Sequence, residues 1–243
     1  MKIVADLHTH TNVSDHALST LEEMIEGAVR ASHIAIAITN HGPALKDGAH
    51  PWHFGAFRST PKRIKDIVLI SGAEANILPD GSLDMEGAYP SYLDYIVASI
   101  HEETFHLKDP KVITKAYMEV LKNPIVNTLG HIGNANFMFD YEYIISQCNE
   151  YKKIVEINNS SFRNRLGSYI NCKDIAELCK KYKVPIALTS DAHLSYSVGE
   201  VSKSIELVQE IDFPEELIVN ISRENLDNYF KNYVGIDIFN RKW

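Results

Sequence analysis

The chain has 243 residues, 45% hydrophobic and 23% charged, enough apolar material for a substantial core and too evenly mixed for a disordered or low-complexity protein. A formal net charge of −8 argues against a general nucleic-acid binder, which needs a basic stripe to displace counterions from phosphates. The longest apolar stretches, such as 34–39 and 67–70, fall far short of the roughly 20 residues that span a bilayer, so no membrane partner is expected. The N-terminus turns polar directly after Ala5, without a signal-peptide apolar region, which points to the cytoplasm. Cys148, Cys172 and Cys179 form an odd set without CxxC spacing and read as buried thiols suited to a reducing compartment.

In chain order, a β-rich run at 2–6 leads into a polar stretch, and Ser19-Thr20-Leu21-Glu22 then gives a capping-box pattern ahead of Met24, Ile25, Ala28 and Val29. A second strand at 34–39 is followed by an irregular segment, 42–60, rich in Gly, Pro, His and Trp. After a third strand at 67–71 comes 78–90, where Pro79-Asp80-Gly81 suggests a small hairpin. The fourth strand, 94–99, precedes a helix opened by Asp109-Pro110 and carrying Ile113, Ala116, Tyr117 and Val120. Strands at 125–129, 153–158 and 185–190 complete the set, with helices at 171–181 and 197–210 following the last two.

These runs are apolar enough to be covered on both faces, as in a parallel sheet with helical crossovers. They recur at roughly one βα unit each. The expected fold is therefore one domain, 1–243, built as an α/β barrel of about seven strands. An open doubly wound sheet is the alternative, but no Gly-rich phosphate fingerprint follows the first strand.

The chemistry-bearing residues cluster just beyond the strand ends: His8 and His10, His41, Glu74, His101, His131, and then Asp191 with His193. In a parallel barrel such positions open into one mouth. Residues two apart on an extended segment project to the same side, so His8-Thr9-His10 can grip one ion. Imidazole plus carboxylate without thiolate suits Zn, Mn or Fe, and so many ligands imply more than one ion, with a carboxylate such as Glu74 able to bridge two. Arg163 and Arg165, after the sixth strand, are candidate clamps for an oxyanion. Trp52 and His53 are candidates for closing over a substrate or for packing their own loop, while His33 and His106 read as surface residues.

Asp6-Leu7-His8-Thr9-His10, Ile38-Thr39-Asn40-His41-Gly42, Gly72-Ala73-Glu74-Ala75-Asn76, His131-Ile132-Gly133-Asn134 and Ser190-Asp191-Ala192-His193 resemble the motifs of the PHP (polymerase and histidinol phosphatase) family. The runs His50-Pro51-Trp52-His53-Phe54 and Glu156-Ile157-Asn158-Asn159-Ser160-Ser161-Phe162 resemble its YcdX-type stand-alone phosphatase branch.

The resemblance, which spans essentially the full chain, implies a distorted (β/α)7 barrel with its metal site at the C-terminal ends of the strands. It also implies three divalent ions, foremost Zn, and hydrolysis of a small phosphorylated metabolite by metal-activated water. Carried over by motif, His8, His10, Glu74 and Asp191 would hold one ion, Glu74, His101 and His131 a second, and His16, His41 and His193 a third. Arg165, in Arg-Leu-Gly-Ser, aligns better than Arg163 with the family pattern, and Glu74, Asp191 and Arg165 would be the catalytic set.

Two positions depart from the pattern: Asn40 stands where the family usually has Asp, and Ile132 stands where a His-Pro is frequent. An amidohydrolase-type C–N hydrolase also begins with His-x-His, but it needs a fourth-strand Lys where His101 stands. A non-catalytic metal-binding module is the remaining alternative, and self-association is left open.

Overall fold

A computed structural model of the chain describes residues 1–85 and 87–241. The seven expected strands are all present: β1 Ala5–Asp6, β2 Ala35–Ile38, β4 Ile67–Asn76, β5 Tyr95–Ser99, β6 Thr128–Leu129, β7 Ile154–Asn158 and β8 Ile186–Thr189. They pair in parallel in the order β1-β2-β4-β5-β6-β7-β8. One short strand that the pattern does not announce, β3 Arg63–Ile64, pairs antiparallel with the start of β4. The crossovers carry α1 Leu21–Arg30, α2 Pro51–Ala56, α3 Pro110–Lys122, α4 Tyr141–Gln147, α5 Ser161–Asn164, α6 Ser168–Tyr182, α7 Ser202–Glu210 and α8 Arg223–Tyr229. No described helix is long and apolar enough to cross a membrane.

Alternation along the strands divides the apolar residues between two regions. Ala5, Ala35, Ala37, Val68, Ile70, Tyr95, Val97, Ile154 and Ala187 fill the barrel interior. Their neighbours Ala73, Ala75, Ile96, Ala98, Val155, Ile157, Ile186 and Leu188 pack outward with Ile113, Tyr117, Ile175 and Leu207 of the helices. The N-terminal end of the barrel is stoppered by Leu226, Tyr229 and Phe230 of the C-terminal segment, with Tyr95 edge-on to Tyr229. The other end is left for polar groups.

The sheet closes on itself at the seam between β8 and β1. At the top, Thr9 bridges Ala192, and His10 N–H donates to the Ala192 carbonyl at 2.8 Å. At the bottom the segment 218–220 is wedged between the two strands, with Ile218 paired to Ile186 and Val4 N–H donating to the Asn220 carbonyl. The buried Asn220 side chain spans the gap, its Nδ2 donating to the carbonyls of Ala5 (2.8 Å) and Leu188 (2.7 Å) while its Oδ1 accepts from Leu188 N–H (3.1 Å). One amide thus supplies the ladder bonds that β1 and β8 lack to each other.

Local readings shift by small amounts for identifiable reasons. The capping box of α1 is Thr20 with Glu23, one residue later than the Ser19 register, because Ser19 Oγ is taken by the backbone N–H of Ser195. The 78–90 segment does start as a hairpin, through an Ile77–Leu83 bridge. All three cysteines are buried and free. His33 corrects the expectation of a surface residue: it is buried at the end of α1, and burial, with Lys2 nearby, lowers its pKa to about 4. His106 is exposed as expected.

Asn220→Ala leaves the Leu188 N–H and two carbonyls without partners inside the seam, and should destabilise the fold by about 3 kcal/mol. A urea denaturation midpoint equal to that of the parent protein would contradict this role.

Candidate metal centre

The C-terminal end of the barrel gathers all nine candidate ligands into one mouth. Glu74, expected just past the third strand, lies inside it, because β4 continues to Asn76. It is only 1% exposed, and its two oxygens face different imidazoles. Oε2 lies 3.3 Å from His8 Nε2, 3.6 Å from His10 Nε2 and 2.9 Å from His41 Nδ1. Oε1 lies 2.8 Å from His131 Nε2 and 3.4 Å from His101 Nε2. Asp191 Oδ1 is 3.2 Å from His10 Nε2 and 3.7 Å from His8 Nε2. His193 stacks on His10 at 4.2 Å and on the exposed His16 at 4.3 Å between ring centroids.

The local chain path explains these placements. Thr9 is pinned to β2, its N–H donating to Thr39 Oγ1 and its hydroxyl to the Ala37 carbonyl, which leaves the imidazoles on either side to turn toward Glu74. His131 (φ 30°) and Asp191 (φ 55°) both occupy the left-handed region, unfavourable for residues with a Cβ and typical of functional sites. Gly42 has no room for a side chain, since a Cβ there would lie 2.4 Å from the Asp84 carboxylate.

The donor set fits divalent ions. His8 Nε2, both ring nitrogens of His10 and of His41, Glu74 Oε2 and His193 Nε2 are buried without a hydrogen bond. His41 Nδ1 approaches Glu74 at hydrogen-bond distance but without the angle of one. Buried polar atoms are normally satisfied, and converging lone pairs of this kind mark cation sites. Ligating atoms within 4.8 Å of one another occur in the sets His8-His10-Asp191, His10-His41-His193, His41-Glu74-His101 and His16-His41-Asp47. Asp47, in the 42–60 loop, is a member the sequence reading does not include. Its carboxylate also hydrogen-bonds His16 Nδ1.

Charge in the mouth is set by mutual fields. Burial disfavours ionised Glu74, but the surrounding His8, His101 and His41 outweigh it and hold the carboxyl well below its usual range. Asp191 is held down in the same way, against burial, chiefly by His8, with His10 at 3.2 Å and Arg165 adding to the effect. His10 is pushed well below the usual histidine range by burial beside His41 and His193, and His131 is lowered to about 4 by burial and Arg165. For His8, burial is overcome by Glu156, Glu74 and Asp191, which together raise it.

A second layer of partners orients the ligands. Glu156 Oε1 accepts from His8 Nδ1 at 2.5 Å and from the Thr189 hydroxyl at 2.6 Å, while its Oε2 accepts the His131 backbone N–H at 2.6 Å. Asn76 Oδ1 accepts from His101 Nδ1 at 2.7 Å, and Asp84 from the hairpin holds Asn76 in turn. Asn158 Nδ2 donates to Asp191 at 3.2 Å. Glu156 is the partner the sequence could have offered, as a lone carboxylate in the apolar strand Ile154–Asn158. Its role depends on a contact 148 positions away.

The mouth opens into a cleft of about 1440 Å³, walled by His16, His101, Phe162, Arg163, Arg165 and Lys203 among others. Arg165 Nη1 donates to Ser161 Oγ at 3.0 Å and lies 3.6 Å from Asp191 Oδ2, whereas Arg163 is exposed. Trp52 is also exposed, and neither it nor His53 lines the cleft.

The PHP domain family model matches residues 6–173. The chain belongs to the PHP family. A protein of Acetivibrio thermocellus named "Probable phosphatase" is 41% identical over 232 residues, covering 95% of this chain and 96% of that protein. A Clostridium acetobutylicum protein with the same designation is 37% identical over 242 residues, covering 99% of each. In fold, the chain is similar to the histidinol phosphate phosphatase of Lactococcus lactis, solved with zinc, L-histidinol and phosphate, at a TM-score of 0.62 and 16% identity. The match covers 86% of this chain and 94% of that one. The barrel of this PHP protein is accordingly the distorted (β/α)7 type, with the ligand cluster at its C-terminal mouth.

Glu156→Gln keeps the side-chain shape but removes the charge behind His8. Divalent-metal affinity should fall about 10- to 100-fold with an unchanged circular dichroism spectrum. Unaltered affinity in a metal-binding titration would exclude Glu156 as the orienting group.

Proposed function

We propose that this PHP protein is a metal-dependent phosphoesterase acting on small phosphate monoesters at a trinuclear centre. The observation that carries the reading is the buried cluster of unpartnered imidazole and carboxylate atoms around Glu74, opening directly onto a cleft with an arginine on its wall. His8, His10, Glu74 and Asp191 would hold one ion, Glu74, His101 and His131 a second, and His16, His41 and His193 a third, with Asp47 also within reach of the last. Zinc is the first expectation, and Mn or Fe suit the same donors. Bound there, such ions supply Lewis acidity that lowers the pKa of water and balances charge on a phosphoryl group.

The protein's own residues supply placement. Glu74 and Asp191 stay ionised within the cluster and offset only part of six positive charges, so the mouth favours a phosphate dianion despite the acidic chain. Arg165, braced by Ser161, projects its guanidinium beside Asp191, where it can hold a phosphoryl oxygen and keep the ester in line. The cleft volume far exceeds a phosphate group and leaves room for an organic leaving group. The substrate is thus a small phosphorylated metabolite, with the wall of Phe162, Arg163 and Lys203 left to select its alcohol portion.

Glu74→Gln should lose metal content and phosphate release together, and chelation of the parent protein should abolish turnover until zinc or manganese is restored. Full turnover by the metal-depleted variant would overturn the proposal. Arg165→Ala should reduce kcat/KM by about 100-fold while leaving metal content intact; steady-state kinetics indistinguishable from the parent would remove Arg165 from the site.

A further inference from the structure

Beside the ligand cluster lies a hydrogen-bonded assembly that the phosphatase reading does not use. Asn40 is fully buried and uses every hydrogen-bonding capacity of its amide. Its Oδ1 accepts from Thr11 N–H at 2.8 Å and from the Ser14 hydroxyl at 3.3 Å. Its Nδ2 donates to Thr11 Oγ1 at 2.9 Å, and its other hydrogen faces His53 Nε2 at 3.0 Å. Ser14 Oγ in turn accepts the backbone N–H of His41 at 3.1 Å.

We propose that Asn40 and His53 form a charge-neutral positioning pair for His16 and His41, the amide donating to Nε2 of His53 and thereby selecting its Nδ1–H tautomer. The inference rests on the metal-centre reading above. Two loops are tied together by the pair: 11–16, which carries His16, and 42–60, which carries Asp47. The second tie between them is the His16–Asp47 contact itself, supported by Asp15 N–H donating to the Asp47 carbonyl at 3.4 Å. His53 is seated edge-on against Phe54 and Phe57, at 5.3 and 5.1 Å between centroids, so its ring is a fixed anchor. Burial lowers its pKa to about 4, in keeping with a neutral ring that accepts at Nε2.

The sense of these bonds distinguishes Asn from Asp. A carboxylate at position 40 could still accept from Thr11 N–H and Ser14, and the Thr11 hydroxyl could rotate to donate. His53 Nε2 could then stay bonded only by carrying a proton itself. The amide therefore places the two loops without adding a negative charge beside a centre that must attract an anion.

Nitrogen-15 NMR of histidine-labelled protein reads the tautomer directly, and zinc titrations read the positioning. The expected result is a His53 with Nδ1 protonated and Nε2 bare in the parent protein, and a proton on Nε2 in Asn40→Asp. His53→Gln, whose amide oxygen accepts the same bond, should retain zinc affinity within about twofold, while His53→Leu and Asn40→Leu should weaken it about 10-fold or more. Should Asn40→Leu fail to fold, the contrast between His53→Gln and His53→Leu decides the point. A parent His53 protonated on Nε2, or equal zinc affinity in the Gln and Leu variants, overturns the inference. A parent protein that takes up no zinc, manganese or iron while showing the Nδ1–H tautomer instead overturns the reading of the centre.

Discussion

A carboxylate sealed from water among five imidazoles is the constraint on which the site depends. Glu74 cannot be buried as an anion without compensating positive charge, which its neighbours His8, His101 and His41 supply in part. Its two oxygens each address a separate group of rings, so one side chain joins the His8, His10 and His41 side of the mouth to the His101 and His131 side. A cluster of this kind is satisfied by cations, and its geometry is held ready for them by the barrel. Glu74 sits inside β4, so its backbone is held by strand pairing on both sides of the residue.

The rest of the mouth is built to keep the rings aimed at that carboxylate. Glu156 and Asn158 on β7, Asn76 on β4, and Asp84 from the following hairpin each bind a ligand or the residue behind one. Asn40 and His53 do the same for the opposite rim. Barrel closure and ligand placement are coupled, because the upper seam bond runs between His10 N–H and Ala192, each adjoining or being a member of the cluster. Loosening the seam would displace His10 and Asp191 together.

The long irregular segments have concrete tasks in this scheme. Residues 42–60 fold partly as α2 and deliver Asp47 and His53, while the hairpin after β4 delivers Asp84 to Asn76 and to the backbone of Ala44. A Cβ on Gly42 would run into the Asp84 carboxylate, which explains a residue without a side chain immediately after a ligand. Cys172 packs in the same spirit, as a small apolar group against Gly133 just past His131.

The primary sequence by itself determined the seven parallel strands and the candidate ligands, since apolar strand runs and strand-end histidines are local patterns and short motifs, whereas the short β3 and the closing of the sheet were decided in three dimensions. Only the tertiary structure decided how those ligands meet, because their contacts join residues tens to more than a hundred positions apart. Glu156 looks like an isolated polar residue until β7 lies across from His8. Asp47 has no motif of its own, and His33 reads as a polar helix end until neighbouring segments cover it. The capping register of α1 likewise moved by one residue when Ser19 found a backbone partner near Asp191. Local pattern records which atoms are available for bonding; the closure of the barrel fixes which of them are removed from water, and so which must be paired.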